Sequence, residues 1–138
     1  MNKVFLVGGG TGGHCLPMLT VYNEFKKKGI LCKIITDSRG KSFFKSVQSK
    51  DILLIKNIIF TNNRLSQVIN LPFFLIQSLR ICLLSKSEYA LGFGGFITIP
   101  FLFVCKILNI KYGLHEANAI MGNANIFLTK NAKNIFTT

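Results

Sequence analysis

The chain has 138 residues, 49% of them hydrophobic and thirteen of them Phe, which fits one domain with a proper core and excludes a disordered chain. Seventeen Lys and Arg against five Asp and Glu give a net charge of +12. Such a surface favours anionic partners, whether nucleic acid, acidic lipid headgroups or a phosphorylated substrate. The acids are Glu24, Asp37, Asp51, Glu88 and Glu116, so any carboxylate chemistry must use one of these five. Cys15, Cys32, Cys82 and Cys105 form no C-x-x-C pair, so neither a zinc site nor a disulfide framework is expected. No N-terminal signal is visible and the cytoplasm is the expected compartment. No run reaches the roughly 18–20 consecutive apolar residues of a spanning helix.

In chain order, Val4–Val7 is a short continuous apolar run, as in a central parallel strand. Pro17 opens a helical pattern carried by Met18, Leu19, Tyr22 and Phe25, which closes on Lys26–Lys28 and Gly29. Leu31–Ile35 reads as a second strand, Ser42–Val47 as a short helix, and Ile52–Ile55 as a third strand. Asn57–Arg64 reads as an unusually apolar loop. Leu65–Leu84 reads as a long helix, or as two pieces joined near Pro72. Tyr89–Leu91 is a fourth strand, ending in Gly92-Phe93-Gly94-Gly95-Phe96, and Pro100 begins a helix to about Leu108. Tyr112–Leu114, a short helix from Asn123 to about Lys130, and Asn134–Phe136 complete the pattern.

Strands alternating with helices imply an α/β fold, a doubly wound parallel sheet. The loops Gly8–His14, Gly92–Phe96 and His115–Gly122 are then expected at one crevice, where ligands of open parallel sheets bind. The first is the most informative. A strand running into Gly8-Gly9-Gly10-Thr11-Gly12-Gly13 and then a helix lets backbone approach a phosphate, with unpaired N–H groups aimed at it. His14 adds a group capable of proton chemistry near neutral pH, and the other histidine, His115, also follows an apolar run. Gly8, Gly10 and Gly13 also satisfy G-x-G-x-x-G, and Asp37 lies near the end of the second strand, so a dinucleotide site stays open on these residues alone.

Three motifs in order narrow the reading. They are Gly9-Gly10-Thr11-Gly12-Gly13-His14 with Pro17, Gly92-Phe93-Gly94-Gly95-Phe96 with Pro100, and His115-Glu116-Ala117-Asn118-Ala119 with Gly122 and Asn125. Together they closely resemble the MurG family over nearly the whole chain. That family adds N-acetylglucosamine from UDP-GlcNAc to the undecaprenyl-diphosphate-linked muramyl pentapeptide (lipid I), giving lipid II of peptidoglycan synthesis. The resemblance implies a GT-B glycosyltransferase, with two Rossmann-like domains facing a cleft. Residues 1–138 are expected to be its N-terminal, acceptor-side half, without the C-terminal UDP-GlcNAc domain. The family pattern is usually His-Glu-Gln-Asn where this chain has Ala117, and commonly Tyr where it has Phe96. The segment Asn57–Arg64 lacks the family's glycine-rich character.

The resemblance implies an inverting transfer by a hexosyltransferase to the C4 hydroxyl of the muramyl sugar, with no cofactor and no metal. By it, Thr11, Gly12 and Gly13 line the cleft, with Gly94 and Gly95 as further substrate-binding positions. His14 is the first candidate catalytic residue, as base or phosphate contact. Glu116 is an alternative base that His115 would orient, and Asn118 a hydrogen-bonding partner of the donor sugar. The implied partners are UDP-GlcNAc, lipid I, a donor domain in cis or trans, and anionic lipids on the cytoplasmic face of the bacterial inner membrane. Leu65, Phe73, Phe74, Leu75 and Ile76 beside Arg64 and Arg80 are the expected apolar patch with a basic rim. The alternatives are a non-catalytic membrane subunit of a split transferase and a dinucleotide-binding protein. A nucleic-acid binder ranks last, since no recognised motif supports one.

Overall fold

The computed structural model describes residues 3–57, 68–116, 129 and 132–137. Its centre is a six-stranded, wholly parallel sheet of β1 (Lys3–Gly8), β2 (Leu31–Thr36), β3 (Ile52–Leu54), β4 (Tyr89–Gly94), β5 (Lys111–Glu116) and β6 (Asn134–Thr137). The strand order is β3-β2-β1-β4-β5-β6. This is the doubly wound sheet expected from the alternating pattern. Central strands are covered on both faces, which is why β1 reads as unbroken apolar sequence and why Phe5, Leu6 and Val7 are all fully buried.

Alternation along the strands divides the core in two. Phe5, Val7, Ala90, Tyr112 and Leu114 face the helices α2 (Leu71–Ser85) and α3 (Thr98–Ile107). Leu6, Ile34, Leu91 and Phe93 face α1 (Gly12–Lys27), whose Cys15, Met18 and Tyr22 pack on them. Each such Leu, Ile or Phe contributes about 1.5–3 kcal/mol through burial. At the far end of α1, the Tyr22 hydroxyl donates to Asp51 Oδ2 at 2.8 Å, and Lys26 and Lys33 pair with the same carboxylate at 3.2 Å. Burial would push the Asp51 carboxyl up, but the hydrogen bonds from Tyr22, Lys26 and Lys33 outweigh it and hold it below the usual range.

Helix ends follow local chemistry. After α1, Gly29 takes φ +71°, Gly29 N–H donates to the Lys26 carbonyl and Ile30 N–H to that of Phe25. Asn109 (φ +55°) repeats this Schellman closure after α3, with Ile110 N–H donating to the Cys105 carbonyl at 2.8 Å. The starts differ from expectation. Helix α1 begins at Gly12, so Pro17 lies inside it rather than opening it. The ring removes the bond to the carbonyl of Gly13, which sits in an exposed first turn. Helix α3 begins at Thr98, two residues before Pro100, whose missing N–H falls among the first four donors that no helix satisfies. The segment expected as a short helix at Ser42–Val47 is a 3-10 turn over Gly40–Phe44. Pro72 does mark the start of α2, while the loop Asn57–Arg64 beyond Asn57 and the helix expected from Asn123 lie outside the described residues, apart from Thr129.

Candidate functional site at the sheet's switch point

Strand β1 pairs with β2 on one side and β4 on the other, so the winding reverses between β1 and β4. The carboxyl ends of these two strands, with the N-termini of α1 and α3 above them, frame the crevice where α/β sheets take ligands. The two glycine motifs meet there. Gly9 N–H donates to the Gly94 carbonyl at 3.3 Å, and a Cβ on Gly95 would sit 2.6 Å from the Gly9 carbonyl oxygen. Gly95 (φ +86°) and Gly94 (φ +104°) therefore serve both a backbone conformation and a close approach that side chains would block. Thr98 anchors the second motif, its hydroxyl donating to the Gly94 carbonyl at 2.7 Å.

His14 lies in the first turn of α1, with its ring over Gly94. Its Nδ1 is 3.1 Å from the Gly9 carbonyl oxygen and 3.4 Å from Thr11 Oγ1. A carbonyl oxygen can only accept, so Nδ1 carries the proton in this contact and the lone pair falls on Nε2. Nε2 is 2.9 Å from where a Cβ on Gly94 would be. The imidazole is thus oriented by one motif and seated on the other. Thr11 holds the N-cap position in extended conformation, without a capping bond from its side chain. Its carbonyl accepts from the N–H groups of His14 and Cys15. Gly12 packs near Phe43, Gly13 is exposed, and their N–H groups are first-turn donors with no partner inside the helix. Burial and the nearby Asp37 push the Cys15 thiol beneath them up to about 11, so it stays protonated.

The third motif is placed differently. His115 and Glu116 are the last residues of β5, not a loop, because the strand runs two residues beyond Leu114. Neighbours in a strand point to opposite faces, which separates Glu116 from the histidine expected to orient it. Glu116 shares the face of Tyr112 and Leu114 and is 5% exposed. The His115 ring packs on Phe93, with centroids 5.0 Å apart and planes at 31°. Burial lowers the tendency of His115 to take a proton, and the Glu116 charge partly restores it. Asn118 lies outside the described residues.

Asp37 and Arg39 also belong to this end of the sheet. Asp37 Oδ1 accepts from Gly10 N–H at 3.1 Å and Gly40 N–H at 2.7 Å, while Oδ2 faces Arg39 Nη2 at 3.7 Å. A carboxylate so engaged is not offered to a ribose hydroxyl, which counts against the dinucleotide alternative. Sequence reasoning weighed Asp37 only for that role and passed over Arg39. The available signal was Asp37-Ser38-Arg39-Gly40, an Asp three residues before a Gly at the end of a strand, the pattern of a side-chain-capped turn. Among the described residues, no three His, Cys, Asp or Glu cluster as a metal site.

The expected membrane patch is revised. Phe74 is 2% exposed, its ring edge-on to Phe96 at 6.1 Å, so it belongs to the core. Phe73 and Leu75 are half-buried, and Arg64 and Leu65 lie outside the described residues. The outward face of α2 carries Ile76 (64% exposed), Leu79, Leu83 (57%) and Leu84, with Arg80 exposed among them. Positions 76, 79 and 83 follow helical spacing, so they form one stripe. No helix of the described residues is long and apolar enough to cross a membrane.

Comparison with known proteins agrees with this geometry. Residues 4–137 match the model of the glycosyltransferase family 28 N-terminal domain. The chain is 33% identical over 141 residues to the UDP-N-acetylglucosamine–N-acetylmuramyl-(pentapeptide) pyrophosphoryl-undecaprenol N-acetylglucosamine transferase of Rickettsia prowazekii, covering 100% of this chain and 36% of that protein. It is 33% identical over 126 residues to the protein of the same name from Bartonella quintana, covering 88% and 33%. The chain therefore spans about a third of the length of the curated relatives it matches. Among solved structures, Acinetobacter baumannii MurG superposes with a TM-score of 0.87 at 23% identity, covering 100% of this chain and 41% of that one. The UDP-GlcNAc 2-epimerase of Methanocaldococcus jannaschii gives 0.75 at 16% identity, covering 98% and 39%. These last two similarities describe the fold.

Proposed function

The chain belongs to glycosyltransferase family 28, and on that premise we propose that it is the acceptor-side half of a transferase that moves N-acetylglucosamine from UDP-GlcNAc to the C4 hydroxyl of the lipid-diphosphate-linked muramyl pentapeptide. The relatives named for that activity are about three times as long, and the donor-binding half is placed, on this reading, in the part of them that this chain does not match. The observation that carries the reading is the seating of His14: Nδ1–H held by the Gly9 carbonyl, the ring over Gly94, and Nε2 left as the basic nitrogen.

In the step that follows, Nε2 takes the proton of the acceptor C4 hydroxyl as its oxygen forms a bond to the anomeric carbon of GlcNAc. The bond from that carbon to the UDP oxygen breaks, and UDP leaves with the electron pair. The configuration inverts because attack and departure are on opposite faces. The first-turn N–H groups of Gly12 and Gly13, with the positive end of the α1 dipole, suit a substrate diphosphate nearby. Glu116 is the weaker candidate base, since its carboxyl is buried on the other face of β5. His115 is assigned to packing against Phe93 beside the crevice, and Asn118 remains the proposed contact to the donor sugar.

The lipid acceptor requires a surface at the membrane, and the stripe on α2 is the proposed one. Its leucines and isoleucine would enter the headgroup boundary while the net charge of +12 attracts the anionic inner leaflet from the cytoplasmic side. The test of the transfer is an assay of the full-length product of the gene with labelled UDP-GlcNAc and lipid-linked acceptor. His14→Ala is expected to reduce turnover about 100-fold or more, the usual contribution of a positioned base, with unchanged melting temperature. Turnover unaffected by the substitution would remove His14 from the mechanism. No transfer by the unmodified protein would remove the function.

A further inference from the structure

Asp37 and Arg39 come from the turn after β2, yet both reach the glycine loop after β1. Asp37 Oδ1 ties Gly10 N–H (3.1 Å) to Gly40 N–H (2.7 Å), joining the two turns through one oxygen. Its other oxygen faces the Arg39 guanidinium at 3.7 Å, with the Arg39 side chain 68% exposed. Arg39 Nη2 is 3.2 Å from the position a Cβ on Gly10 would take, and Gly10 has φ +84°. The guanidinium therefore lies across the backbone of the loop where only glycine leaves it room. It is a side-chain cation set directly against the glycine run, on a side chain that is largely exposed.

We propose that Arg39 binds a phosphate oxygen of a substrate diphosphate and that Asp37 is a positioning residue which holds it there. This rests on the transferase reading above. The loop's own N–H groups supply a dipole but no net charge, and those of Gly9, Gly10 and Thr11 already donate to the Gly94 carbonyl, Asp37 and the Gly9 carbonyl. A diphosphate needs charge as well as dipole, and a guanidinium matches phosphate oxygens with two parallel N–H donors. Asp37 keeps the side chain from swinging into solvent and fixes the turn from which it extends.

Initial-rate kinetics on the full-length product of the gene test this, with UDP-GlcNAc and a short-chain prenyl-diphosphate acceptor varied separately. Arg39→Gln is expected to raise KM for one diphosphate substrate about tenfold while kcat stays within about twofold. A rise for the acceptor alone assigns the acceptor diphosphate, and a rise for UDP-GlcNAc alone assigns the donor's. Either supports the proposal, and Arg39→Lys should recover part of the loss. Unchanged KM values for both, or a fall in kcat alone, would overturn it. Asp37→Asn keeps an oxygen for the two amides but loses the charge facing Arg39, so it should raise the same KM. The double variant should then be no worse than Arg39→Gln, whereas fully additive effects would overturn the positioning role. If the unmodified protein transfers no sugar, the transferase reading fails separately, and titration with inorganic pyrophosphate decides for Arg39. Affinity about tenfold weaker in Arg39→Gln upholds the contact, and equal affinity refutes it.

Discussion

At the residue scale, the site is made of close approaches that glycine alone allows, and their importance can be separated from simple backbone preference. Gly29 and Gly95 both have positive φ, +71° and +86°. A Cβ on Gly29 meets nothing within 4 Å, while one on Gly95 meets the Gly9 carbonyl oxygen at 2.6 Å. Gly29→Ala should therefore cost only the conformational penalty, about 1–2 kcal/mol, with full activity. Gly95→Ala adds a backbone collision, and the carbonyl it displaces is the one that orients the His14 imidazole. We expect it to cost about 2–4 kcal/mol and also to reduce turnover at least tenfold under conditions where the variant is folded. Thermal melting and single-turnover rates on both variants measure this, and equal activity of the two would dissociate the glycine contact from catalysis.

At the element scale, strand interiors were legible because the central strands are parallel and buried on both faces: Val4–Val7 is a continuous apolar run, and Leu31–Ile35 is broken only by Lys33. Boundaries were less so. Tyr112–Leu114 extends through His115 and Glu116 because ladder pairing with β6 continues there, a long-range fact invisible in a local window. Placing two polar residues in a loop hid the alternation that turns them to opposite faces. Phe74 and Ile76 looked alike as apolar residues of one helix, and only packing against Phe96 shows which one is inside. That the two glycine motifs and His14 meet at one end of the sheet was legible because both motifs follow apolar strands of a parallel sheet. Arg39 was not, because its position comes from a turn that closes across the sheet. Pro17 is the other case, since proline ordinarily marks a helix start. Inside α1 it removes one bond and crowds the Gly13 carbonyl, at about 3 kcal/mol in a regular interior, against about 0.4–1 kcal/mol gained by restricting the unfolded chain. Pro17→Ala should thus stabilise the protein by about 2 kcal/mol. A melting temperature unchanged or lowered would mean that the first turn already accommodates the ring without loss.

For the whole molecule, the proposed membrane binding has charge and exposed apolar surface acting together. Seventeen basic residues against five acids leave a strongly positive surface, and three of those acids (Glu24, Asp37 and Asp51) are already engaged by Lys27, Arg39, Lys26 and Lys33. Each cation near an anionic leaflet contributes about 1 kcal/mol, a term that salt screens. The α2 stripe contributes an apolar term that salt does not screen. Flotation of the full-length protein with phosphatidylglycerol vesicles should therefore give strong binding that weakens with added salt without vanishing. Phosphatidylcholine vesicles should bind little, since a few side chains at the boundary are marginal without charge. Ile76→Asp with Leu83→Asp should abolish the salt-resistant part. Both positions are largely exposed, so folding should be unchanged. If the double variant floats as well as the parent, another face meets the membrane. If both vesicle types bind equally, charge is not what brings the protein there.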